Sequence, residues 1–298
     1  LNRPASIEIP AGDGGLLARA PSTVLVLGGI TSVQFGSAIA TTLFHRIGPG
    51  GAVLLRLLTA SIVLLAVWRP RVGAVGRREL VLAGVFGLVL AAMNLSFYEA
   101  IHRIPLGIGV TLEFIGPLTV AVAGSRRRLD FVWVALAAGG IVALTRGNAH
   151  GLDGLGVALA LIAGAMWGLY ILVNARIGRA FADGTGLALA MCVATAVALP
   201  FGIVQGGARL ISVHSLAIGA AVGMLSSAIP YTCEVEALRR IATNVFGVLM
   251  SIEPAMAALA GFIVLGQGLS GRELVGMGLV VAASVGASRN AHRAPVDA

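Results

Sequence analysis

The chain has 298 residues, 57% of them apolar and only 11% charged, where a soluble globular domain carries roughly a quarter. So little charge cannot cover a water-soluble fold of this size, and a mean hydropathy of +0.94 points to lipid as the solvent. The net charge of +8 comes from arginine alone, since there is no lysine; the arginines stand in short groups between apolar runs, which argues against a nucleic-acid-binding face.

Residues 1–22, with Pro4, Pro10, Gly12, Gly14, Gly15 and Pro21, read as a flexible cytoplasmic tail. They lack the apolar core of a cleavable signal peptide, so the first hydrophobic helix is expected to do the targeting. Runs long enough for a bilayer follow at 23–43, 50–68, 80–101, 104–124, 131–146, 155–174, 186–205, 215–237, 243–265 and 273–289. Residues 290–298 read as a cytoplasmic C-terminal tail. The expected fold is an all-α polytopic membrane protein with ten transmembrane helices. Glycine pairs at four-residue spacing, Gly164/Gly168, Gly202/Gly206 and Gly219/Gly223, let helix backbones approach closely in lipid.

Arginines alternate between the connections. Fifteen fall in the two tails and after the second, fourth, sixth and eighth spans; five, Arg46, Arg103, Arg146, Arg209 and Arg272, fall on the other side, and Arg56 lies within a span. Positive residues stay cytoplasmic, which places both termini inside. An offset of 137 residues aligns Glu99–Gly124 with Glu236–Gly261 at ten identities in 26 positions, including Glu99/Glu236, Arg103/Arg240 and Pro117/Pro254. The chain therefore divides into two five-helix repeats, 23–146 and 155–289. Because five is odd, the second enters the membrane inverted, a construction that puts the site of many transporters near the midplane between the halves.

Charged side chains within spans are costly and mark function. Glu113 stands halfway along the fourth span, four residues before Pro117; Glu253 stands halfway along the ninth, directly before Pro254. Each proline removes a backbone donor and disturbs its helix, so a carboxylate and loosened backbone meet at the membrane centre. Arg56, Asn94 and Gln34 lie inside the second, third and first spans, Trp167 and Tyr170 along the sixth, and Tyr231 in the eighth. Two other readings stand beside these: Arg56 paired with Glu113 as a structural salt bridge, and Trp167 and Tyr170 as packing residues.

The run Pro105–Pro117 (PLGIGVTLEFIGP), then Ser125–Trp133, Gly164–Tyr170, Ser226–Tyr231 and Phe246–Pro254 together resemble the drug/metabolite transporter superfamily, EamA type, and within it the threonine and homoserine exporter branch. The resemblance covers about residues 23–288. It implies a proton-driven inner-membrane exporter of small neutral amino acids, with Arg56, Asn94, Glu113, Trp167, Tyr170, Tyr231 and Glu253 at positions lining a central cavity. On that footing Arg56 holds the substrate carboxylate, Glu113 or Glu253 takes the ammonium, and a proton competes for one of the carboxylates.

Within transport the alternative is export of other metabolites or cationic drugs. Outside it stands a non-transport membrane interaction protein, for which little sequence lies beyond the spans. An enzyme is not expected, because HExxH, GxSxG and a nucleophile–base pair are all missing from the sequence. No cofactor or metal site is expected either: Cys192 and Cys233 form no CxxC pair, and a phosphate loop needs a lysine. The expected partners are the amino acid, protons and the bilayer. Oligomeric state, transport direction and the division of labour between the two glutamates stay open at this point.

Overall fold

The computed structural model describes residues 21–70, 73, 75–123, 129–145, 152–181, 184–230, 233, 237, 246 and 249–291. Among the described residues the regular structure is helical, with no strands. In chain order the helices are α1 (Ser22–Thr41), α2 (Phe44–Trp68), α3 (Arg77–Ile101), α4 (Leu106–Glu113), α5 (Ile115–Ala123), α6 (Leu129–Thr145), α7 (Gly154–Ala180), α8 (Thr185–Gly206), α9 (Val213–Gly223), α10 (Glu253–Leu265) and α11 (Gly271–Ala291). A 3-10 turn, Gly207–Ile211, follows α8, and a π-helical segment, Met224–Ala228, continues α9. By length and composition α1, α2, α3, α7 and α8 with its 3-10 extension can each cross a membrane; α4–α5, α6, α9 with its π segment and α10 supply shorter apolar stretches.

Large apolar side chains lie on the outside, among them Ile62, Val81, Leu88, Val204, Phe262 and Ile263. The buried side holds small residues and most of the polar ones, including Gln34, Ser37, Asn94, Glu113, Ser226 and Glu253. Such a surface is stable in hydrocarbon, where helices satisfy their own backbone groups. This is the build of a polytopic membrane protein.

The proline-marked helices are broken, but not at the prolines. The fourth predicted span divides at Phe114 into α4 and α5. Pro117 has no N–H to give the carbonyl four residues back, which is that of Glu113, and its ring crowds that carbonyl. The break therefore falls just after Glu113. In the ninth span the chain turns at Ser251 and Ile252 and α10 starts at Glu253, with Pro254 in its first turn, where a missing N–H costs nothing. Glu113 thus ends one half-helix and Glu253 begins another.

Helix α2 also starts with a kink. Gly48 has φ 70°, and Pro49 follows, so the straight span begins beside position 50, as the sequence suggests. The freed N–H of Gly50 donates to Gln205 Oε1 of α8 at 2.6 Å, and Gln205 Nε2 donates to Glu99 Oε1 at 2.9 Å. Glu99 also takes the Arg103 guanidinium, whose Nε lies 3.8 Å from Asp153 Oδ2. Asp153 in turn caps α7 by accepting from Leu155 N. These polar groups bind the ends of α2, α3, α7 and α8 together, away from the cavity described below.

Packing between helices follows a matched pattern. Helix α2 lies along α8, and α6 along α11; α3 packs on α7 and α8, while α9 and its π segment pack on α1 and α2. Likewise α5 packs on α7 and α10 on α1, with α4 and α10 touching each other. The closest approach is at α7, where a Cβ on Gly116 would overlap the Gly164 carbonyl oxygen, one on Gly164 would stand 2.6 Å from the Glu113 carbonyl oxygen and one on Gly168 3.3 Å from that of Gly116. Gly164→Val is expected to push α7 off the α4–α5 break and cost about 1–3 kcal/mol, the range for overpacking. A lower melting temperature of the detergent-solubilised protein would show it. Gly178→Val on the same helix, where a Cβ meets nothing within 4 Å, should leave the melting temperature unchanged.

Candidate functional site

A cavity of about 510 Å³ opens where the broken helices meet the rest of the bundle, within the roughly 300–1,000 Å³ usual for small-molecule sites. Gln34 of α1, Arg56 of α2, Asn94 of α3, Glu113 of α4, Pro117 of α5, Trp167 and Tyr170 of α7, and Glu253 of α10 all line it. Pro254 is buried in the first turn of α10 but does not line the cavity. Tyr231 lies outside the described residues.

Arg56 carries the positive charge on the wall. Its Nη1 donates to Tyr98 Oη at 3.1 Å and its Nη2 to the Ser226 carbonyl at 3.1 Å. The guanidinium carbon lies 5.5 Å from the Tyr98 ring centroid, a cation–π distance. Tyr98 is fully buried and wedged by Phe44 and Phe97, with ring centroids at 5.8 Å and 6.1 Å. The carbonyl that Arg56 uses comes from the π-helical segment. A π turn lengthens the local ring to i→i+5 and often marks a functional site; here it leaves carbonyls for side chains of other helices. Ser226 O accepts from Arg56, and Leu225 O accepts from Ser32 Oγ at 2.6 Å. The guanidinium is held by neutral oxygens and a ring, and among the described residues it has no carboxylate within 4.0 Å. The structural salt bridge with Glu113 considered from the sequence is thus not made, although both side chains face one cavity.

The two glutamates occupy different surroundings. Glu113 closes α4, and its side chain makes no hydrogen bond or ion pair among the described residues. Glu253 stands in the first turn of α10, and Gln34 Nε2 donates to its Oε1 at 3.3 Å. A helix N-terminus interacts favourably with a negative group and a C-terminus does not, so the two carboxylates are not interchangeable. The break before Glu253 is pinned through Ser251 Oγ and Ser284 Oγ of α11, 2.9 Å apart.

The aromatic side chains set the shape of the wall. Trp167 meets Phe114, the residue at the helix break, edge to face at 5.3 Å and 82°; Tyr170 stacks on Phe86 at 5.2 Å and 24°. Both therefore pack and line the cavity at once. Tyr98 and the Ser226 carbonyl are absent from the residues picked out by sequence. Tyr98 had a signal in the sequence, since it follows Asn94 by one helical turn and shares its face; the π turn had none.

Three comparisons bear on this arrangement. A model of the EamA-like transporter family matches residues 154–289. The threonine/homoserine exporter RhtA of Salmonella typhimurium strain LT2 is 40% identical over 278 residues, 92% of this chain and 93% of that protein. The protein of the same name from Escherichia coli K12 is 40% identical over 268 residues, 89% and 90% of the two chains. A solved crystal structure superposes with a TM-score of 0.61 at 19% identity, over 91% of this chain and 98% of that one, a likeness of fold.

Proposed function

The chain belongs to the EamA-type drug/metabolite transporters, in the branch of the threonine/homoserine exporters, and from that premise we propose that it exports small neutral amino acids of the threonine and homoserine kind across the inner membrane. The observation that carries this reading is the cavity itself: one arginine braced by neutral groups, with two carboxylates lining the same space. A zwitterion brings the opposite pair of charges. In a dry cavity its carboxylate gains most from a guanidinium, which can bind it in bidentate fashion, and its ammonium from a carboxylate.

Ten spans in two inverted five-helix repeats, 23–146 and 155–289, accommodate the mechanism. The matched packing supports this division: exchanging α1 with α7, α2 with α8, α3 with α9, α4–α5 with α10 and α6 with α11 turns each major helix contact into another one or back into itself. Arginine alternation favours cytoplasmic termini, with 1–22 and 290–298 as tails. Alternating access then consists of one repeat rocking against the other about the cavity. Proton antiport follows if the cargo and a proton exclude each other at a glutamate, Glu113 taking the proton and Glu253 the ammonium. The work is binding and release, with no bond made or broken.

The test is efflux of preloaded radiolabelled threonine and homoserine from cells expressing the protein. Accelerated efflux over cells without it is expected, at equal internal loading. A well-expressed protein that moves neither amino acid would sink the reading. The surplus of one carboxylate over the arginine favours cationic metabolites or drugs as the second reading, and counterflow of threonine against a lipophilic cation separates the two.

A further inference from the structure

Asn94 is buried on α3, one turn before Tyr98, and lines the cavity. Its Nδ2 donates to the Leu90 carbonyl at 2.8 Å. That bond fixes which way the amide faces: one N–H of the nitrogen turns back on its own helix, and the acceptor oxygen is left for the cavity. Among the described residues Oδ1 accepts no hydrogen bond. Oδ1 is not sealed among the helices, so an acceptor held in one orientation stands open on the cavity wall to a donor from the ligand.

A small neutral amino acid offers two kinds of donor, an ammonium and, in some, a side-chain hydroxyl. The ammonium is drawn to carboxylates, where a charge-assisted bond is roughly twice as strong as a neutral one. The hydroxyl remains. Position agrees with this pairing, because Tyr98 braces Arg56 one turn farther along the same face, an axial rise of about 6 Å. A cargo whose carboxylate sits on Arg56 can extend its side chain along α3 toward Asn94. Two neighbouring acceptors are worse placed: Gln34 gives its nitrogen to Glu253 and its Oε1 is sealed among the helices, as is the Ser226 hydroxyl.

We infer that Asn94 reads the side-chain hydroxyl of the cargo and is the residue that sets threonine and homoserine apart from apolar amino acids of the same size. This rests on the amino-acid export reading above. Threonine and valine are isosteres that differ in the hydroxyl, and the variants Asn94→Thr and Asn94→Val differ in the same way. Threonine at position 94 can donate back to the Leu90 carbonyl and still accept from the cargo; valine can do neither.

The experiment is counterflow of labelled threonine and labelled valine in proteoliposomes holding the full chain, wild type beside the two variants. Wild type is expected to favour threonine by roughly 10–100-fold, the range for leaving one buried acceptor unmatched. Asn94→Val should bring the two substrates within about threefold of each other, and Asn94→Thr should restore most of the preference. A preference that survives in Asn94→Val, or a threonine variant that behaves like the valine one, would overturn the inference. The wild-type pair stands without any variant: equal transport of threonine and valine overturns the role of Asn94 and leaves amino-acid export intact. Transport of neither overturns both.

Discussion

Replacing Arg56 with glutamine is expected to lower threonine export by roughly 100-fold, within the range for removing one partner of a buried charge pair. The reason lies in how the guanidinium is held. Tyr98 Oη and the Ser226 carbonyl each take one N–H group, neither neutralises the charge, and further N–H donors of the fork remain for a ligand. Glutamine can satisfy the neutral oxygens but brings no charge. Arg56→Lys should recover little, because an ammonium cannot fill the fork or bind a carboxylate in bidentate fashion. A brace for the π segment would predict the same loss of export, so the deciding readout is a cargo without the carboxylate. Inhibition of efflux by threonine methyl ester should be nearly the same in wild type and Arg56→Gln, while inhibition by threonine itself collapses. Equal loss of both ligands would make Arg56 a structural strut.

Much of this site could be read before the fold was known, for a physical reason. Lipid makes polar and charged side chains within spans costly, so those present stand out. Gln34, Arg56, Asn94, Glu113, Trp167, Tyr170 and Glu253 come from six different spans and meet at one cavity. Helix positions were legible to within a few residues because the bilayer fixes the length of an apolar run. Hydropathy, however, measures the slab and not the helix: α7 runs on to Ala180, past the predicted end at 174, since a helix needs no lipid to satisfy its backbone. Other features depend on local backbone chemistry or on contacts between spans. The break at Phe114 follows from Pro117 acting one turn back. The π turn at Met224–Ala228 is tied to Arg56 and Ser32, both more than a hundred residues earlier. Tyr98 lies near the end of the third predicted span, and its burial comes from Phe44, Phe97 and the guanidinium it supports.

The two glutamates should part company under substitution. Glutamine at 113 imitates a permanently protonated side chain, and the Glu113 side chain makes no ion pair among the described residues that the change would break. Glu113→Gln is therefore expected to abolish uphill export while leaving threonine exchange within about threefold of wild type, because exchange needs no proton to move. The loss is large. Each pH unit is worth about 1.4 kcal/mol and each 100 mV about 2.3 kcal/mol per proton moved, so an uncoupled carrier forfeits a concentration ratio of about tenfold per pH unit and more with the potential. Glu253→Gln removes a carboxylate that sits in the first turn of α10 with the Gln34 amide against it. There the expected result is loss of exchange and uphill export together, as the ammonium loses its partner. Proteoliposomes with an imposed pH gradient, assayed once for net efflux and once for exchange at equal pH, give both readings. If Glu113→Gln stops exchange while Glu253→Gln spares it, the two roles are reversed; if both variants export uphill as wild type does, neither glutamate carries the proton.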